Sequence, residues 1–168
     1  MKMTSAQAAK LLRQLNDELQ ALQFRESNSS TFIAALQEDI ETVRPEYSFA
    51  EMRTSQAELQ KKIRRLKHAI NVFNTTTVIP EFDMTIDEML VYLPQLTRDC
   101  GVLSMMKDAM PKVREKSSYS GAAVIDYRYA NYDIAEAGEC YTALSETLAK
   151  AQTALDFVNN TVEFDVEL

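Results

Sequence analysis

The chain has 168 residues, with 18 Lys plus Arg against 25 Asp plus Glu and a net charge of −7. That length supports one domain, 1–168, around a single core. With 46% apolar and 26% charged residues, 3 Gly, 4 Pro and no Trp, the composition excludes a disordered chain and favours helices over a sandwich or barrel. The glycines stand apart at Gly101, Gly121 and Gly138, so the clustered glycines with which a dinucleotide fold or a P-loop approaches phosphate are not there.

The opening stretch, MKMTSAQAAKLL, has no apolar core of the secretory kind, and no later stretch approaches 18 apolar residues. A cytoplasmic chain without a membrane partner is expected. The first helix is predicted over about Thr4 to Phe24, where Ala8, Leu12, Leu15, Leu19 and Leu22 recur at heptad steps. A polar stretch from Glu26 to Thr31 interrupts it. The apolar cluster Phe32, Ile33, Ala35, Leu36 and Ile40 then predicts a short helix ending before Pro45, because the residue before a proline avoids the α region.

Ser48 and Glu51 have the spacing of a capping box and open a second long helix. Its apolar stripe is Met52, Leu59, Ile63, Leu66, Ile70 and Phe73, with Gln56 as the one polar seam position. Such a residue costs stability but fixes register, so Gln56 reads as a pairing device. After a break over Thr75 to Asp83, Thr85 and Glu88 cap a third helix running through Met110. Pro94 removes the amide that would bond the Leu90 carbonyl, and a kink or break is expected near Tyr92. Lys112 to Gly121 reads as a polar loop.

Val124 to Tyr132 alternates with period two, placing Ile125, Tyr127 and Tyr129 on one face of a strand. Asp133 and Glu136 cap the last helix, in which Ala137, Tyr141, Leu144, Leu148, Ala151, Leu155 and Val158 keep heptad steps as far as Asn159 and Asn160. In the tail, Val162, Phe164, Val166 and Leu168 alternate with three acids. An uncovered strand of this kind invites aggregation, so the tail is expected to pair with the Val124–Tyr132 strand, in the same chain or a neighbouring one. The expected fold is therefore mainly α: long antiparallel helices with heptad seams, plus a small two-stranded β element near the C-terminus. Residues 1–120 form its helical part and 121–168 an acidic strand-helix-strand unit.

Three stretches resemble the septicolysin-like family of small bacterial helical proteins, whose biochemical function is not established. Ile70-Asn71-Val72-Phe73-Asn74-Thr75-Thr76 is similar to the family's I-N-x-x-N-x-T turn. Met84-Thr85-Ile86-Asp87-Glu88-Met89-Leu90 is similar to its T-L-T-[DE]-A-L helix start, followed by the Arg98-Asp99 pair. Leu155, Asp156, Phe164, Glu167 and Leu168 keep the spacing of its last motif, with Phe164 where the family has Trp and Glu163 where it has Asn. Ala123-Val124-Ile125-Asp126 departs from the family's S-E-I-K. The resemblance covers roughly residues 60–168 and implies a cytoplasmic, self-associating helical protein, with no mechanism attached.

The densest charge feature is Lys61-Lys62-Ile63-Arg64-Arg65-Leu66-Lys67-His68. Lys61, Lys62, Arg64, Arg65 and Lys67 could bind an anionic partner, nucleic acid or an acidic protein, by counterion release. Ile63 and Leu66 belong to the apolar seam, however, so the cations are outer faces of that helix, and no aromatic residue interleaves with them to stack bases. A solvated or salt-bridged face is the plainer reading. Residues 121–168 carry 9 acids and 2 bases, a net of −7, whereas residues 1–120 carry 16 of each. The acidic pole of one subunit could dock on the basic helix of another. Tyr127, Tyr129, Phe164 and Leu168 are candidate interface residues, since rigid amphipathic rings suit association.

His68 is the only histidine, which excludes di-iron Glu-x-x-His bundles and zinc sites built on several imidazoles. Carboxylates at Glu81, Asp83 and Asp87 leave a Ca or Mg site open, beside the plainer reading of a solvated helix N-terminus. A nucleophilic dyad would have to use His68 inside a cationic run that lowers its basicity. Asn71, Asn74, Thr76, Arg98 and Asp99 read as caps and inter-helix bonds rather than a ligand pocket, and Cys100 and Cys140 as buried free thiols. The expectation is a non-enzymatic, homo-oligomeric interaction protein without metal, cofactor or small-molecule substrate. The runner-up is a binding module using the basic face. Membrane lysis, which the family name hints at, conflicts with the acidic balance.

Overall fold

The computed structural model describes residues 1–115 and 125–168. In chain order the elements are β1 (Lys2–Thr4), α1 (Ser5–Ser29), α2 (Ile40–Val43), α3 (Phe49–Thr76), β2 (Val78–Ile79), β3 (Met84–Thr85), α4 (Ile86–Lys107), β4 (Lys112–Arg114), β5 (Tyr127–Tyr129), α5 (Ile134–Thr161) and β6 (Glu163–Asp165). They form two compact units, Met1–Thr77 with Phe157–Leu168, and Val78–Asp156. The fold is mainly α with small antiparallel β ladders, as the periodicity predicts.

In the first unit α1 and α3 form an antiparallel pair. Thr4 caps α1 through a reciprocal box with Gln7, and Ser48 caps α3 by accepting from the Glu51 amide. Ala8 and Leu15 on α1 meet Ile63 and Leu66 on α3, and Met3 of β1 and Val166, just past β6, complete the cluster. α1 extends five residues past the expected Phe24, through the stretch read as an interruption. Only Ile40–Val43 of the expected short helix is helical. Asp39 captures the Glu41 amide at 3.1 Å and starts the turn there, while Phe32, Ile33, Ala35 and Leu36 lie before it and stay exposed.

The strand pairing differs from the expectation. β6 pairs antiparallel with β1, Lys2 facing Asp165, Met3 facing Phe164 and Thr4 facing Glu163. β5 pairs with β4, with Val113 facing Arg128. The tail and the tyrosine strand are therefore not partners, and residues 121–168 do not close on themselves as a strand-helix-strand unit. The reason is local in one case and distant in the other. Lys112–Arg114, read from sequence as loop, lies close in sequence to β5 and forms its antiparallel neighbour. The tail instead covers Met3 and the end of the α1/α3 seam, where Val166 is buried. The remainder of the expected loop, 116–121, and Val124 of the expected strand lie outside the described residues.

In the second unit β2 and β3 form a two-residue ladder across the turn at Pro80–Asp83. Asp83 sits at φ 50°, the left-handed conformation that Asp tolerates better than most residues. Thr85 and Glu88 form the expected capping box, and two bonds from Thr85, the amide before the hydroxyl, hold the Glu88 carboxyl below its ordinary range. α4 runs without a break through Pro94. Asp133 caps α5 by accepting from the Ala135 and Glu136 amides at 2.8 and 3.3 Å. α4 and α5 are antiparallel: Tyr132 Oη donates to the Met106 carbonyl at 3.0 Å, and Cys100 Sγ lies 3.9 Å from Ser145 Oγ. Both thiols are free, but Cys100 is half-buried and Cys140 exposed, which corrects the expectation that both are buried. Position 140 falls one residue before the half-buried Tyr141.

The Phe73 and Phe164 rings stack at 4.4 Å between centroids, Phe73 buried and Phe164 half-buried. Phe73→Ala is expected to cost about 3–5 kcal/mol, the usual range for emptying a buried aromatic site, and Phe164→Ala less, about 2 kcal/mol. Urea denaturation of the two variants checks this order. Deleting residues 162–168 removes β6 and the buried Val166 and is expected to lower the melting temperature by calorimetry.

Candidate functional site

Arg65, His68, Ala69, Val72 and Thr76 recur at helical spacing along one flank of α3, beside the stripe that buries Phe73. β6 lays Phe164 against Phe73, and the two elements enclose a cleft of about 520 Å3 lined by these residues together with Asp165 and Glu167. Two residues nominated from the sequence, Arg65 and Phe164, thus meet in one place. Thr76 is turned back on its helix, its hydroxyl donating to the Val72 carbonyl at 2.7 Å. Asn74 is half-buried, and its Oδ1 is enclosed without a hydrogen-bond donor among the described residues.

Lys61, Lys62, Arg64, Arg65 and Lys67 are all exposed, while Ile63 and Leu66 between them are buried. Among the described residues none of the five cations forms an ion pair within 4.0 Å. Their charge is therefore solvated rather than spent within the unit. Phe164 and Leu168 pack on the first unit's own core. Tyr127 and Tyr129 are exposed on β5, with Lys112 Nζ 4.1 and 5.3 Å from their ring centroids. Arg98 and Asp99 are exposed on α4. Among the described residues no three His, Cys, Asp or Glu side chains converge, so Glu81, Asp83 and Asp87 are not assembled as a cation site.

A polar knot sits in the α1/α3 seam near its loop end. Gln56, only 4% exposed, donates from Nε2 to Glu26 Oε2 at 2.8 Å, and Arg53 donates to the same oxygen at 2.6 Å and to Gln56 Oε1 at 2.5 Å. Tyr47 Oη donates to Glu26 Oε1 at 3.3 Å. The Gln56 bond, with the Arg53 charge and the Tyr47 bond behind it, holds the Glu26 carboxyl below its ordinary 4.5 against the opposing effect of burial. Partial burial and then the Glu26 charge push the Tyr47 hydroxyl up. Gln56 was legible as a polar seam position. Glu26, Tyr47 and Arg53 were not, because their partnership spans the loop and leaves no spacing signal.

Beyond the knot, the connection between α1 and α3 and the helix ends beside it expose large apolar side chains: Ile33, Leu36 and Ile40 in the connection, Phe24 on α1 and Phe49 at the start of α3 are all more than half exposed. In the same stretch Phe32 is partly covered by the Arg44 guanidinium, 5.9 Å from its centroid. What these surfaces offer is apolar area at one end of the first unit and, among the described residues, five cations of α3 without an ion-pair partner.

No protein-family model and no curated protein matches the chain. A solved structure described as a functionally unknown conserved protein from Corynebacterium diphtheriae is similar, with a TM-score of 0.59 and 18% identity, covering 98% of this chain and 100% of that one. The likeness is one of fold. No helix among the described residues is long and apolar enough to cross a membrane.

The Glu26 carboxyl is depressed in the folded state, so its contribution to stability is present above the unfolded value near 4.5 and is lost as pH falls through the lower folded value. Wild-type protein is expected to lose more stability than Glu26→Gln between about pH 6 and pH 3. Urea midpoints for the two proteins across that range test the sign.

Proposed function

We propose that this chain is a non-enzymatic, self-associating helical interaction protein of the cytoplasm, in keeping with its residue-level resemblance to the septicolysin-like family. The observation that carries the reading is the apolar end of the first unit, where Ile33, Leu36 and Ile40 in the connection between α1 and α3, with Phe24 on α1 and Phe49 at the start of α3, face solvent. Scattered exposed apolar residues are ordinary, but three large ones on one connection, with two more on the helices it joins, are read here as an association surface. A homo-oligomer covers them at no cost to the fold, because none belongs to the buried cluster of Met3, Ala8, Leu15, Ile63, Leu66 and Val166.

Ile33→Asp with Leu36→Asp tests the reading cleanly, since both side chains are fully exposed and contribute nothing to the core. The double variant is expected to keep its far-UV circular dichroism and to fall to a lower mass than wild-type protein in light scattering at micromolar concentration. A wild-type mass equal to the monomer overturns the reading.

A second reading, a module for an anionic partner, is supported by the five unpaired cations of α3 among the described residues. Exchanging Lys61, Lys62, Arg64 and Arg65 for Gln is expected to change stability by no more than about 0.5 kcal/mol, as surface substitutions do. Retardation of DNA or RNA by wild-type protein at about 150 mM salt, lost in the variant, favours this second reading over the first.

A further inference from the structure

Two strand edges in this molecule have complementary chemistry. β6 carries Glu163-Phe164-Asp165 and β4 carries Lys112-Val113-Arg114. Each belongs to a two-stranded ladder, so among the described residues each has one paired edge and one edge without a backbone partner. Which residues face the free edge follows from the hydrogen bonds. The Val166 amide donates to the Met1 carbonyl at 2.8 Å, and two-residue alternation then turns the backbone groups of Phe164 towards β1 and those of Glu163 and Asp165 outward. In the other ladder, Glu115 N–H donates to the Asp126 carbonyl at 2.9 Å and Ala130 N–H to the Pro111 carbonyl at 3.1 Å. Val113 is thereby turned towards β5, and Lys112 and Arg114 outward.

The geometry points to a contact between two copies of this chain, in which β4 of one adds antiparallel to the free edge of β6 of the other. Lys112 then lies opposite Asp165, Val113 opposite Phe164 and Arg114 opposite Glu163. Hydrogen-bond parity allows this alignment independently of charge, because outward-facing residues of two antiparallel edges must oppose each other, and of the allowed registers it is the one that pairs all three residues of each strand. The same alignment sets every cation against an acid and places the two apolar residues in a close cross-strand pair.

Like edges reject each other: β6 against β6 opposes carboxylates, and β4 against β4 opposes cations. Charge on an edge strand is a common guard against pairing. Here the two guards have opposite sign and cancel only in the mixed pair. On the charged face the Lys112 ammonium already leans on the Tyr127 and Tyr129 rings, and the added strand brings a carboxylate to its other side. On the apolar face Val113 extends the surface begun by the Phe73–Phe164 stack. The contact is heterologous, since each copy offers both edges, so it propagates into a ring or a chain of copies.

This proposal rests on the reading that the chain self-associates, and it assigns a second surface separate from the apolar one. The test therefore uses a background with Ile33→Asp and Leu36→Asp, which removes the apolar contact, and with Cys100→Ala and Cys140→Ala, which removes the native thiols. One chain carries Lys112→Cys and the other Asp165→Cys. Directly opposed residues of a hydrogen-bonded antiparallel pair have Cα atoms about 5.5 Å apart, within disulfide reach. Oxidation is expected to give a covalent dimer in the mixture and none with either chain alone. No dimer from the mixture, with both chains folded by circular dichroism, overturns the proposal.

A charge exchange adds a second measurement. Lys112→Glu with Arg114→Glu, and Glu163→Lys with Asp165→Lys, are each expected to weaken association at least tenfold in sedimentation, and mixing the two variants to restore it. Should Asp165→Lys, which faces Lys2, disturb the β1–β6 ladder, the single exchange of Glu163→Lys against Arg114→Glu carries the same comparison. Failure of mixing to restore association overturns the strand contact. An unchanged mass on removing Ile33 and Leu36 instead counts against the apolar surface alone.

Discussion

The first unit depends on the antiparallel pairing of Lys2–Thr4 with Glu163–Asp165, two segments at opposite ends of the sequence. α1 and α3 can align their seam by themselves, but one end of it is covered only when this ladder forms. Met3 then packs on Ala8 and Leu66, and Val166 is buried beside them. The Phe73 ring, near the C-terminal end of α3, finds its stacking partner in Phe164 through the same event. Closing so long a loop costs entropy that grows only slowly with length, and burial of these apolar groups opposes it.

The other end of the seam is specified differently. Gln56 occupies a position that an apolar residue would fill at lower desolvation cost, and it is tolerated because Glu26 and Arg53 satisfy both ends of its amide. A buried amide bonded to one carboxylate holds the two helices in a single register, because a slip of one turn would leave it and Glu26 unpaired. Apolar packing sets that the helices associate, and the polar knot sets how.

Beyond its core the chain distributes charge unevenly. Lys61, Lys62, Arg64, Arg65 and Lys67 of α3 are exposed, the net negative charge falls in residues 121–168, and among the described residues the two strand edges without a backbone partner carry opposite signs. Such surfaces steer and select partners more than they add affinity. In the proposed self-association, the apolar connection between α1 and α3 would supply contact area and the charged edges orientation.

What the sequence determined alone is whatever repeats locally. Heptad steps located the long helices, Thr85 with Glu88 and Asp133 marked helix starts that the structure keeps, and the positions of Ile63 and Leu66 within the basic run identified its cations as outward-facing. Gln56 stood out because it interrupts an apolar stripe. Tertiary structure alone decided the strand partners. Lys2–Thr4 and Lys112–Arg114 are three residues long, too short for alternation to separate strand from loop, and a ladder's partner is chosen by which apolar faces need cover, a property of the assembled helices. The apolar cluster at Phe32 to Ile40 shows the same limit from the other side. Its composition reads as a buried helix face, but Asp39 starts the helix only at Ile40, and no neighbouring element covers Ile33 and Leu36 within the first unit. Periodicity reports what a segment can bury, and only the packed chain supplies what buries it.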